Sequence, residues 1–135
     1  MPNKTSNYQL NQWEASDPFL RSDFNEDNAR LEAALTEKSV LVFGTFTGDG
    51  QPSQSIDLGF APKAVFTCND SGLAGFSTGS HYTYGGLALP GHPVTLNGYT
   101  GVEVTATGFV VCRPKEYDQV RCNAKDQVYH YWAVR

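Results

Sequence analysis

Between Val40 and Cys68 the chain reads VLVFGTFTGDGQPSQSIDLGFAPKAVFTC, and this stretch leaves little room for anything but sheet. Ser55, Asp57 and Gly59 alternate with Ile56, Leu58 and Phe60, a period of two that specifies a half-buried strand. The strand before it is expected to carry Val40, Val42 and Thr45 on one side. Asp49-Gly50 lies between the two, and such a pair suits the positive φ of a tight turn. Ala61-Pro62 ends the second strand, because proline brings no donor to a ladder and holds its predecessor extended. Ala64-Val65-Phe66 then begins a third. The expectation is three short strands joined by two turns.

The same logic continues to the C-terminus. Asn69-Asp70-Ser71-Gly72 is a turn cluster. Residues 73–92 are rich in Gly and Pro and read as an irregular excursion, with one short strand at 84–89. A strand at 93–96 meets Asn97-Gly98, the strongest hairpin signal in the chain, and 100–105 pairs back. Residues 108–112 form another strand, 113–127 a polar surface loop, and 128–134 a closing strand. There Tyr129, Tyr131 and Ala133 face one way, and Val128, His130, Trp132 and Val134 the other. So much apolar bulk places this strand centrally, with Trp132 buried. The fold class is therefore mainly β: an extended N-terminal arm and one short α-helix, then an antiparallel β-sandwich of about seven to eight strands.

The arm, residues 1–16, has no apolar period, yet Tyr8, Leu10 and Trp13 imply that it docks on something. A helix is expected over 23–37, with Asp23 as its cap and Glu26 completing a capping box. Phe24, Asn28, Leu31 and Leu35 fall on one seam. A seam this short either joins copies of the chain along a three-fold axis or rests on its own sheet. A lone Asn in the seam would set register, which favours a homotrimer. The domains are then 1–38, for attachment and trimerisation, and 39–135, the sandwich.

Several function classes are disfavoured. A net charge of −4 with no basic cluster argues against nucleic acid. No apolar run is long enough to insert in a membrane, and the first residues lack the apolar core of a signal peptide. Cys68, Cys112 and Cys122 form no CxxC pair and read as free thiols made in a reducing cytosol. No nucleotide loop or metalloprotease motif occurs, and no cofactor or metal is expected. His81, His92 and His130 lie far apart; only a three-fold axis would make His130 a three-ligand site. Asp49 and Asp70 sit in turns, while Asp57 and Glu103 should face water, so no carboxylate pair marks a glycosidase. The residues that fit ligand contact are Tyr82, Tyr84 and Tyr99, whose rings offer apolar faces with a hydroxyl. Of these, Tyr84 and Tyr99 fit the core of a small sandwich better.

A resemblance adds to this. Residues 7–14, NYQLNQWE, followed by 23–28, DFNEDN, resemble the N-terminal segments of tail proteins from tailed phages and prophages of Gram-positive bacteria. GTFTGDG at 44–50, LGFAPKAV at 58–65 and the ending YHYWAV at 129–134 resemble the β-rich distal domain of their tail fibres. The resemblance implies a virion tail component made in the host cytoplasm. Its arm would attach to other tail proteins and its distal domain would meet a polysaccharide or protein of the bacterial surface. It also implies a homotrimer. The alternative is a purely structural tail or baseplate-associated protein with no external ligand.

Overall fold

The computed structural model describes residues 2–135, which divide into two compact units, one up to Ser39 and one from Val40 to Arg135.

In the first unit the arm is not irregular. Strands β1 (Asn3–Lys4) and β2 (Asn11–Gln12) pair antiparallel around a turn that carries Gln9 at φ 56°. Polar bonds order it where apolar area could not. Thr5 N–H donates to the Leu10 carbonyl at 2.9 Å, and Leu10 N–H to Thr5 Oγ1 at 2.9 Å. Asn11 ties the hairpin to helix α1 (Arg21–Glu37): its backbone N–H and its Nδ2 both donate to Asp27 Oδ1 at 3.0 Å. Arg30 donates to the Gln9 carbonyl and to Glu26. Trp13 docks on its own unit, stacked on Phe19 at 4.7 Å and on Phe24 at 5.7 Å.

The expected capping box does not form. The helix starts two residues earlier, with Leu20 at the cap position and no side-chain cap bond. Asp23 lies inside the first turn, where its charge suits the positive end of the helix dipole. The aromatic stack on either side of Leu20 fixes the entry of the chain in place of a cap.

The second unit is a β-sandwich of two four-stranded antiparallel sheets. In chain order its strands are β3 (Leu41–Thr47), β4 (Ser53–Asp57), β5 (Ala64–Asn69), β6 (Gly75–Ser77), β7 (His81–Thr83), β8 (Gly86–Ala88), β9 (Val94–Leu96), β10 (Tyr99–Val104), β11 (Gly108–Cys112) and β12 (Val128–Val134). One sheet runs β4-β11-β10-β9 and the other β3-β12-β5-β8, while β6 and β7 form a separate hairpin. The closing strand β12 is central, between β3 and β5. Asn97 at φ 50° and Gly98 at φ 83° make the β9–β10 turn with both central residues left-handed, as a two-residue hairpin of this twist requires.

The stretch 40–68 forms the expected three strands, with β3 and β5 in one sheet and β4 in the other, so both turns cross from sheet to sheet. Three expectations are corrected by the packing. On β3 the inward side chains are Val42 and Phe46, with Thr45 exposed, because pairing with β12 sets Phe46 opposite the buried Tyr129. Trp132 is not in the core. It is half-buried on the outer face and stacks on Phe66 at 5.7 Å, while Tyr129, Tyr131 and Ala133 point inward. Finally, 73–92 is more ordered than expected, since β6 and β7 pair within it.

The core lies between the sheets. Phe46, Val65, Tyr129 and Ala133 meet Val102, Phe109 and Val111. Phe46 stacks on Tyr129 at 4.9 Å and meets Phe109 edge-on at 5.9 Å. Such aromatic pairs add to area burial. Gly44 lets the Tyr131 ring lie flat over β3, since a Cβ there would strike the phenol.

Candidate functional site

The segment 113–127 carries no regular strand, yet it is not a surface loop. Val120, Cys122 and Asn123 within it are fully buried. It closes one end of the sandwich through polar bonds to the β3–β4 connection. Asn123 Nδ2 donates to Asp49 Oδ1 at 2.6 Å and to the Gln51 carbonyl at 3.0 Å, and Asn123 Oδ1 accepts from Asp49 N–H at 3.1 Å. Tyr129 Oη donates to the Arg121 carbonyl and accepts from Ala124 N–H at 3.0 Å. Gly48 passes so close that a Cβ would clash with the Ala124 carbonyl. Polarity concealed this burial from a reading of apolar pattern.

That segment also holds the β6–β7 hairpin. Thr83 N–H donates to the Gln119 carbonyl at 2.9 Å, and Arg121 N–H to the Thr83 carbonyl at 2.8 Å, a short parallel bridge. The Cys122 thiol adds a contact to the Thr83 carbonyl at 3.8 Å. The hairpin is thereby fixed, and beside it opens a groove of about 420 Å³ lined by Phe76, Ser77, His81, Tyr82, Thr95 and Leu96. Phe76 pairs across the hairpin with Tyr82 and stays exposed. Behind Tyr82 stands Arg121, its guanidinium carbon 4.6 Å from the ring centroid. Arg121 Nη2 donates to Asp118 Oδ2 at 2.6 Å, and Arg113 Nη2 to Asp118 Oδ1 at 3.2 Å. These bonds from Arg121 and Arg113 hold the Asp118 carboxyl below the usual carboxylate range. The cation is therefore engaged by Asp118 and the ring, and the groove presents aromatic surface, hydroxyls and an imidazole.

Of the sequence candidates, Tyr82 lines this groove. Tyr84 and Tyr99 are half-buried against the core, and Tyr99 stacks on Tyr117 at 4.8 Å. The Tyr117 hydroxyl accepts from Asn97 Nδ2 and donates to Gln119 Oε1. Tyr99 still adjoins the groove through its strand partner Leu96. Sequence reasoning missed Phe76 and Arg121. The alternation of Phe76 with Gly75 and Ser77 is too short to signal a strand, and nothing local announces that Arg121 meets a ring 39 residues earlier. Phe24, Asn28, Leu31 and Leu35 all lie exposed on α1.

The carboxylates have local partners. Asp49 accepts from Gln51 N–H at 2.9 Å as well as from Asn123, and Asp57 accepts from Gly59 N–H at 2.8 Å. Asp70 is exposed in the turn after β5 and Glu103 is exposed on β10. His92 is exposed beside β9, and His130 on the outer face of β12. Among the described residues no cluster of His, Cys, Asp and Glu could hold a metal ion. No family model, curated protein or solved structure matches the chain.

Proposed function

We propose that this chain is a tail appendage protein, a fibre or tip subunit, of a tailed phage or prophage of Gram-positive bacteria. Its first unit attaches to other tail proteins and its β unit recognises an envelope glycan of the host. It is a binding protein rather than an enzyme, and it works on the virion. The observation that carries the reading is the Tyr82 groove. An aromatic side chain, backed by Arg121 and flanked by Phe76 and His81, stands on a hairpin fixed to the sandwich. Fixed rings stack on the apolar face of a sugar at low entropic cost, and Ser77 and Thr95 offer hydroxyls for its polar edge. The sequence resemblance supports the same assignment.

A homotrimer fits this role, because three copies of a weak groove facing one way add through effective concentration. The exposed seam of Phe24, Asn28, Leu31 and Leu35 supports it. The test is retention of purified protein on susceptible cells and on their isolated wall polysaccharide. Wild type is expected to bind, and Tyr82→Ala to lose retention while staying folded. No retention on any susceptible strain would return the protein to a purely structural place in the tail.

A further inference from the structure

The two outer faces of the sandwich are chemically unlike. Outside the β4-β11-β10-β9 sheet stand Ser53, Ser55, Asp57 and Glu103, all exposed. Outside the β3-β12-β5-β8 sheet, one apolar row crosses all four strands. Phe43 is paired with Trp132, Trp132 with Phe66, and Phe66 with Leu87. Phe43 is 72% exposed and Leu87 53%. The row above it is Leu41, Val134 and Ala64, and the row below is Thr45, His130 and Cys68. None of these positions holds Asp, Glu, Lys or Arg.

We propose that a second copy of this chain packs on this face. Isolated large apolar residues at a surface need no explanation, but a continuous row of them marks a contact. Its occupant must itself be apolar and uncharged there, because an unpaired charge pressed onto the face would lose its hydration without compensation. Copies of a chain with net charge −4 repel each other. This face is where they meet with no charge on either side, so it is compatible with itself. Two such faces pack as sheets do within a sandwich, about 10 Å apart. Strands about 4.8 Å apart and residues about 3.4 Å apart make a face roughly 20 Å on each side. Pairing it buries on the order of 1,000 Å² in total, the lower end for a specific complex, where weak and transient contacts fall. This contact lies in the β unit and uses none of the helix residues on which the trimer reading rests.

Sedimentation velocity on the full chain, from about 1 to 200 µM, tests it across a range that reaches weak contacts. Wild type is expected to associate as concentration rises. Phe43→Glu should raise the apparent Kd about tenfold or more, as loss of a central aromatic anchor does. Because Phe43 is so exposed, the variant should keep its circular dichroism spectrum. In a Trp13→Phe background the remaining tryptophan is Trp132, whose emission should shift to the blue with concentration in the parent and not in Phe43→Glu. With Leu31→Glu the Phe43-dependent association should persist. A chain that stays monomeric throughout overturns the proposal, and so does a Phe43→Glu variant that associates like wild type. A monomer that retains an unrelated protein on this face overturns it too, in favour of a different occupant.

Discussion

In the unit up to Ser39 the large rings, Trp13, Phe19 and Phe24, stack on one another while Phe19 and Phe24 remain exposed, and no residue of α1 is buried. In the β unit, rings of the same kind, Phe109 and Tyr129, are fully buried and bracketed by two sheets. The first unit is held by Asn11, Arg30 and a surface stack, contacts of a few tenths of a kcal/mol to about 1 kcal/mol each when solvent competes. The second is held by desolvation of whole side chains, about 1.5–3 kcal/mol each. Polar bonds and one stack can define a shape, but area removed from water is what makes a unit stable alone. The first unit therefore has more to gain from a partner than the second.

The strongest way to sharpen this contrast is Tyr129→Ala. The ring stacks on Phe46, and the hydroxyl bridges Arg121 and Ala124 in the segment that closes the core. The loss should be about 3–5 kcal/mol, as for other aromatic-to-alanine changes in a core. Urea denaturation followed by Trp132 fluorescence in the Trp13→Phe background measures it. A loss below about 2 kcal/mol would mean that the sandwich core matters less than its burial implies.

Asn123→Ala is the next step down. It removes an amide that bonds Asp49 and Gln51 from a fully buried position. The expected cost is about 1–3 kcal/mol, because Asp49 N–H and the Gln51 carbonyl lose their partner. Faster amide exchange across 113–127 should accompany it.

Those two residues also mark where the sequence was legible. A period of two, which the backbone imposes along any strand, separated Tyr129 from Trp132 on a central strand. Apolar bulk pointed to the Trp132 face as the buried one, whereas the Tyr129 face is inward. The sandwich, its helix and the Asn97-Gly98 turn followed from equally local chemistry. Asn123 was not legible, since a polar residue in a polar segment reveals burial only when its partners, here 74 residues away, are known. The sheet-to-sheet crossings at Asp49-Gly50 and Ala61-Pro62 were hidden for a related reason. A turn signal says that the chain reverses, not which sheet receives it. The groove was half legible: Tyr82 was recognisable as an aromatic among glycines, but Arg121 behind it depends on the fold.

Alkaline pH should separate the units as well. Burial pushes the Cys122 thiol from an ordinary 9.0 up to about 12, with the nearby Cys112 thiol acting in the same direction. Burial likewise raises the Tyr129 phenol from 10.0 to about 12. Both groups ionise first in the unfolded chain. Their contribution is complete below the unfolded values and is lost as pH rises through about 9 toward 12. The melting temperature of the β unit should hold steady near neutrality and fall above about pH 9, with Cys122→Ala removing the earliest part of the fall. An unchanged melting temperature at about pH 11 would show that water reaches both groups.

The smallest expected effect is the most discriminating. Leu35 is 66% exposed near the end of α1. In a lone chain Leu35→Ala removes little buried area, and alanine is at least as good a helix former, so stability should move by less than about 0.5 kcal/mol. In an assembly joined along the seam the same substitution removes a contact from every copy. The two cases differ by concentration. Measured at about 1 µM, wild type and variant should unfold together; in a Phe43→Glu background at about 100 µM, the parent should gain stability by mass action and the Leu35→Ala variant should not. A gap of about 2 kcal/mol already present at the low concentration would mean that Leu35 is covered within its own chain. The first unit would then owe its order to desolvation, as the sandwich does, and it would have no need of a partner.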